Sequence, residues 1–262
     1  MSAPAATARL GNAEGLLVPR WPAPASVCAL ITTRSGGVST GPYASFNLGA
    51  GSGDDANAVA ANRARLRGFL PADPLWLKQV HGGAVADADT QTGCNGEIEA
   101  DAAVARGAGA VCAVMIADCL PVLLTDTAGA VVGVAHAGWR GLAAGVIEHT
   151  VAAMNVMPET LIAYLGPCIG GRVYEVGAEV REALCADHVE ADAAFVPKAK
   201  GKWLADLTAV ARQRLLRVGM AADSIFGGEF CTLSEPDRFY SFRRDGPSGR
   251  MAALIWRTRA SA

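Results

Sequence analysis

The side chains best suited to chemistry are a few residues far apart in the chain. Only four histidines are present, His81, His136, His149 and His188. His81 and His136 each close a predicted strand and lead into glycine-containing turns. Cys119 closes a third, between Asp118 and Pro121. Strand ends that open into loops are where a rigid scaffold presents reactive groups. Two imidazoles and a thiolate are a good donor set for Zn²⁺, with copper the second choice. Three protein donors leave a fourth position for water or substrate, the arrangement of a catalytic metal. Such an ion lowers the pKa of bound water to about 7 and polarises oxygens of a substrate. The competing reading is two structural histidines and one buried thiol, and the spacing alone does not separate the two.

Other groups could serve this centre. Gly138-Trp139-Arg140-Gly141 joins a strand to a helix, where free backbone N–H groups favour an anion and Arg140 adds a charge-assisted donor. The Gly-rich loop from Arg34 to Pro42 allows the same reading, and so do Arg243 and Arg244 beside Asp245. Close packing and a surface ion-paired strand are the plain alternatives. Asp118 could orient a ligand, move a proton or cap a turn. Cys168, in Leu165-Gly-Pro-Cys-Ile-Gly170, is a candidate nucleophile, supporting group or packing residue. His149 and His188 fit solvent-facing positions. The seven cysteines, Cys28, Cys94, Cys112, Cys119, Cys168, Cys185 and Cys231, are odd in number and lack a CxxC pair, so they read as thiols in a reducing compartment.

The elements that must position these groups follow from periodicity and punctuation. Strands are predicted over 28–33, 76–80, 111–117, 122–125, 130–135, 161–165 and 251–256. Helices are predicted over 55–70, stopped by Pro71, and over 142–154, 176–185 and 204–218. Strands close enough for hairpins mix with helices. The expected fold is therefore α+β, one layered domain of mixed, largely antiparallel sheets flanked by helices. It would occupy residues 26–262 and follow an irregular Ala- and Pro-rich lead-in over residues 1–25.

Composition narrows the function. Half of the residues are apolar (51%) and 18% are charged, a globular balance. The net charge of −2 and the lack of a Lys/Arg cluster disfavour nucleic acid as a partner. No apolar run reaches the roughly 18 residues of a membrane helix, and the N-terminus does not read as a signal peptide. A cytoplasmic protein acting on a small molecule is expected. Nothing in the pattern sets an oligomeric state.

Taken together, the motifs resemble a known family. They are Thr32-Thr-Arg-Ser-Gly-Gly-Val-Ser39, Ser45-Phe-Asn-Leu-Gly49, Asn62-Arg63, Lys78-Gln-Val-His81, Ala117-Asp-Cys-Leu-Pro-Val122, Ala135-His-Ala-Gly-Trp-Arg-Gly141, Leu165-Gly-Pro-Cys-Ile-Gly170, Tyr174-Glu-Val-Gly177 and Tyr240-Ser-Phe-Arg-Arg-Asp245. In this order they are similar to the multicopper polyphenol oxidase (laccase-like) family. It is also called the purine nucleoside phosphorylase family of the laccase-domain protein, and peptidoglycan editing factor. The resemblance implies zinc at His81, Cys119 and His136. It implies phosphorolysis of adenosine, inosine or methylthioadenosine, and deamination of adenosine. The older label is phenol oxidation. Phosphorolysis requires a phosphate pocket, for which Arg34, Arg140, Arg243 and Arg244 are the candidates. The resemblance also implies removal of serine-containing UDP-MurNAc precursors by an amidase or hydrolase. A non-enzymatic zinc-stabilised binding protein is the third reading, and it would require a fourth protein ligand. One departure is Gly51, where the family often carries a histidine.

Overall fold

The structure is a computed structural model that describes residues 15–91 and 98–259. Cys94 lies outside the described residues, as do residues 1–14 of the expected lead-in.

Along the chain come β1 (Leu16–Leu17), β2 (Val27–Thr32), α1 (Ala56–Arg67), β3 (Pro74–Leu75), β4 (Val85–Asp87) and β5 (Ala102–Ala105). Next are β6 (Val111–Ile116), β7 (Leu120–Asp126), β8 (Val132–Ala137), α2 (Trp139–Ala143), α3 (Val146–Met154) and β9 (Leu161–Leu165). The remainder holds β10 (Glu175–Val176), α4 (Ala178–Cys185), β11 (Phe195–Pro197), β12 (Trp203–Ala205), α5 (Leu207–Arg217), β13 (Ile225–Gly227), α6 (Phe242–Asp245) and β14 (Met251–Arg257).

One sheet has the order β1-β2-β14-β6-β3, a second has β13-β9-β7-β8-β5-β4, and a small third has β10-β12-β11. The neighbours pair antiparallel except β3 with β6, β4 with β5 and β13 with β9. This is the mixed, largely antiparallel α+β arrangement that the sequence predicts. The two large sheets lie face to face, and each is covered on its other side. Strand alternation explains the layering. Ala253 and Ile255 of β14 meet Leu123 and Val134 between the sheets. Ala252 and Leu254 point outward, onto Phe46, Leu48 and Leu66 of the α1 layer. Val122 and Leu124 of β7 face Val146, Ile147 and Val210 of the helical layer. Strands buried on both faces lose the apolar–polar alternation, so β7 is buried throughout.

The structure corrects some boundaries. The strand predicted over 76–80 does not form: β3 covers only Pro74–Leu75, and a single bridge between Lys78 and Glu99 follows it. Beyond it, side chains hold the backbone. The Gln79 amide donates to Met115 O at 2.9 Å and accepts from Met115 N at 2.7 Å. The predicted helix over 142–154 is two helices, α2 and α3, broken where Gly145 adopts φ +73°. Leu16 and Leu17 pair with Thr32 and Ile31 as an edge strand. The small strand β5 was unpredicted because Ala-Ala-Val-Ala has little intrinsic β preference. Asp55 caps α1 and Asp206 caps α5, each accepting from N–H groups of the first turn. Among the described residues no helix is long and apolar enough to cross a membrane.

Candidate metal centre

Two of the three predicted donors come from strand ends and the third, His81, from the loop between β3 and β4. His136 lies within β8, opposite Pro121 of β7. Cys119 lies in the tight turn between β6 and β7. His81 follows the Gln79-braced segment. The donor atoms of His81, Cys119 and His136 all lie within 4.8 Å of one another. Tetrahedral zinc with bonds of about 2.0–2.3 Å sets its ligands roughly 3.5 Å apart, so small rotamer shifts suffice. The imidazole rings meet edge to face with centroids 4.9 Å apart. His136 is buried, Cys119 half-buried and His81 exposed, so the cluster is open on one side. A His₂Cys set of this shape fits a divalent ion with a free coordination position.

Backbone strain sits at this centre. His81 and Asp118 adopt positive φ, +61° and +98°, which side-chain-bearing residues rarely adopt. Glycine is required nearby for a different reason. A Cβ on Gly138 would lie 2.6 Å from Cys119 Sγ, so any side chain there would push the thiolate out of place.

The charges are mutually set. Burial pushes the Cys119 thiol up, but His136 and His81 overcome this and bring it to about 6. Burial pushes His136 down, but the Cys119 thiolate and Asp101 carry it to about 9. The centre thus favours thiolate, the form that binds metal.

Asp101 organises the site and was missed by sequence reasoning. It is fully buried. Its Oδ1 accepts from His136 Nδ1 at 2.8 Å and from His81 N at 2.9 Å. Its Oδ2 accepts from Gly82 N at 2.7 Å and Val80 N at 3.1 Å. Burial pushes this carboxyl up, but the bonds from His136, Gly82 and Val80 hold it below its ordinary value. The contact to Nδ1 leaves Nε2 of His136 for a metal, the familiar carboxylate–histidine–metal arrangement. The available signal was the last of three alternating acids, Glu97, Glu99 and Asp101, directly before the apolar run Ala102–Ala105.

The metal cluster opens into a cleft of about 820 Å³. Among the predicted residues Asp118, Arg140 and Arg243 line it, while Cys168, Arg34 and Arg244 do not. Asp118 ties walls together: its Oδ1 accepts from Thr232 Oγ1 at 2.6 Å and its Oδ2 from Arg243 N at 2.7 Å. Cys168 is 1% exposed, and burial and then Asp206 push its thiol well up. Arg34 donates to Ala44 O and Pro236 O. Arg244 donates to Thr232 O, Leu233 O and Phe239 O. Arg140 lies 4.3 Å from the centre of the Trp139 ring and has no hydrogen-bond acceptor among the described residues. His149 is exposed, as expected, and contacts Gly83 O at 2.9 Å through Nδ1, bracing the turn after His81. His188 is partly exposed beside Glu190. Sequence reasoning also missed Arg63, Arg250 and Tyr174 as cleft residues. Gly51 lies on the cleft wall, where an added Cβ would meet nothing within 4 Å.

Comparison with known proteins adds an independent view. The family model described as multi-copper polyphenol oxidoreductase laccase matches residues 28–258. A protein of Escherichia coli strain K12 named purine nucleoside phosphorylase YfiH is 51% identical over 243 residues, covering 92% of this chain and 98% of its own. A Pseudomonas aeruginosa protein also named purine nucleoside phosphorylase is 51% identical over 241 residues, covering 92% and 97%. Among solved structures, a Neisseria meningitidis protein superposes with a TM-score of 0.89 at 48% identity, covering 94% of this chain and 100% of its own. YlmD from Geobacillus stearothermophilus superposes with a TM-score of 0.87 at 32% identity, covering 95% and 98%.

Proposed function

The chain belongs to the multi-copper polyphenol oxidoreductase laccase family, and from that premise we propose that it is a cytoplasmic, zinc-dependent enzyme that cleaves purine nucleosides with phosphate. The observation that carries this reading is an open three-donor cluster lining a cleft rich in guanidinium groups. The names borne by relatives half identical in sequence supply the substrate class.

The protein's own groups have definite tasks. Asp101 holds His136 and the His81 backbone so that both rings face the cleft. Arg140 and Arg243 are placed to hold phosphate by charge-assisted hydrogen bonds. Tyr174, whose hydroxyl burial and the Cys119 thiolate keep up to about 12, stays a neutral donor beside them. Trp139, Tyr174 and Phe242 offer flat apolar surfaces to a purine. Zinc bound by His81, Cys119 and His136 would supply a Lewis acid in the cleft. The same open position suits a hydrolytic deamination of adenosine, which we carry as a side activity.

Phenol oxidation by a true multicopper mechanism does not fit these residues. Such chemistry requires many histidines around several copper ions, and the chain has four in all. One His₂Cys site cannot gather four electrons for dioxygen. The amidase reading, with a serine-containing UDP-MurNAc precursor as substrate, is served by the same cleft and is separated by experiment.

The test incubates zinc-loaded protein with adenosine or inosine, with and without phosphate, and in parallel with a UDP-MurNAc-serine compound. Phosphate-dependent release of adenine or hypoxanthine, abolished in His81→Ala, is the expected result. Release of serine without any release of base would overturn the reading.

A further inference from the structure

The cleft carries more positive charge than phosphorolysis of a neutral nucleoside calls for. Arg63, Lys78, Arg140, Arg243 and Arg250 line it, and its acid, Asp118, has both oxygens engaged by Thr232 and Arg243 N. Each of the four arginines lies over an aromatic ring that also lines the cleft. The pairs are Arg63 on Trp76 at 4.4 Å, Arg140 on Trp139 at 4.3 Å, Arg243 on Tyr174 at 5.0 Å and Arg250 on Phe242 at 5.7 Å. A guanidinium over a ring can still offer its N–H groups to an anion.

The four fall into two groups. Arg243 lies over Tyr174 and its backbone N donates to Asp118, next to Cys119, while Arg140 rests on Trp139, three residues beyond His136. Arg63 and Arg250 instead flank Leu48, the first through its side chain and the second through its backbone. Arg63 Nε donates to Leu48 O at 2.9 Å, and Leu48 N donates to Arg250 O at 3.0 Å. Asn47 Oδ1 accepts from Arg250 N at 2.8 Å, fixing the segment.

We propose that Arg63 and Arg250, with the turn from Gly49 to Ser52, form a second anion subsite that takes a phosphate or carboxylate carried by the substrate itself. Both arginines are half-buried, and burial lowers the pKa of each. Arg63 uses only Nε on the protein, and the Arg250 side chain uses only Nη1, on Ser248 O and Gly249 O. The other donors of both have no acceptor among the described residues. Half-buried cations favour a counter-charge; Cys119 and Asp118 act on Arg250 only through space, and among the described residues no carboxylate bonds either guanidinium. The space for one exists, since the wall at Gly51 is open. One inorganic phosphate at Arg140 and Arg243 would leave this second pair unmatched. A substrate with its own anionic group matches both pairs. The subsite deepens the phosphorolysis reading by naming an anionic nucleoside derivative as the preferred ligand.

Equilibrium binding separates the two claims, because it does not depend on turnover. Zinc-loaded full-length protein is titrated calorimetrically with adenosine, adenosine 5′-monophosphate and adenosine 5′-carboxylic acid, at low salt and without phosphate. The subsite predicts that at least one anionic ligand binds about tenfold or more tightly than adenosine. It also predicts that Arg63→Gln loses most of that preference while Arg63→Lys keeps part of it. Tight binding of both anionic ligands identifies the shared anion chemistry, and of the monophosphate alone a phosphate ester. Equal binding of adenosine and both anionic ligands by the unaltered protein overturns the proposal, as does a preference unchanged in Arg63→Gln. Failure of nucleoside cleavage with the preference intact sinks phosphorolysis and leaves the subsite standing.

Discussion

The two walls of the cleft are built on opposite plans. On the metal wall every polar group of the organising residue is matched. Asp101 accepts from one imidazole and three backbone amides, and its own N–H donates to Ala84 O. On the cation wall, Arg140 donates to no acceptor among the described residues, and Arg63, Arg243 and Arg250 each keep donors in reserve. A matched wall fixes geometry before a ligand arrives. An unmatched wall keeps its hydrogen-bonding capacity for the ligand. Substitutions on the first should therefore disturb the metal and the fold together. Those on the second should disturb ligand binding and leave the fold alone.

The largest effect expected is at the donors. Cys119→Ala or His136→Ala leaves two ligands, and bound zinc should fall well below one per chain by metal analysis of the purified protein, with base release at background. Stoichiometric zinc in either variant would break the assignment of the centre. Removing zinc from the unaltered protein with a chelator should give the same inactivity, restored when zinc is added back.

Asp101→Asn comes next. The amide keeps the shape but not the charge that holds the His136 tautomer, and it can no longer accept on both atoms. Zinc affinity should fall about 10–100-fold, as for other partners of metal-bound histidines. Stability should fall by about 1–3 kcal/mol, because buried amides lose an acceptor. Competition with a chromophoric chelator and denaturant unfolding measure the two. Unchanged zinc affinity would mean that Asp101 serves the fold alone.

Gly138→Ala tests the tightness of the metal wall without touching a ligand. Its Cβ would sit 2.6 Å from Cys119 Sγ. Overpacking of this order costs about 1–3 kcal/mol, and here the strain falls on a donor atom. Zinc affinity should drop along with the melting temperature. A variant with native zinc affinity would show that the β6–β7 turn can yield.

The same contrast explains what the sequence could reveal. The donors were legible because Cys119 and His136 stand at the ends of apolar strands and His81 leads into a Gly-Gly turn, and rare residue types at such places stand out. Long apolar runs revealed β2, β6, β7, β9 and β14. Asp101 was hidden because its partners, the amides of residues 80–82 and the ring of His136, are distant in sequence. The arginines were hardest. Arg34, Arg140, Arg243 and Arg244 all sit in glycine-rich or charged motifs that look alike in one dimension. Only folding separates Arg244, which braces three carbonyls, from Arg140, which braces none. Arg63 and Arg250 reach the cleft from a helix and the start of a terminal strand, where nothing local marks them.

The smallest effect on the fold, and the sharpest test of the comparison, is a pair of arginine substitutions. Arg140 is exposed and rests on Trp139, so Arg140→Gln should change stability by no more than about 0.5 kcal/mol. It should raise the KM for phosphate about tenfold, the value of one charge-assisted contact, with kcat and the KM for nucleoside little altered. Arg244→Gln should do the reverse. Its guanidinium donates to Thr232 O, Leu233 O and Phe239 O and pairs with Asp245, so its loss leaves carbonyls without a partner. A fall of about 1–3 kcal/mol is expected, with the phosphate KM of the folded fraction unchanged. Urea unfolding and steady-state kinetics on both variants decide the matter. If Arg140→Gln unfolds the protein, or Arg244→Gln alters only phosphate binding, the division between matched groups that set geometry and unmatched groups that wait for an anion does not hold.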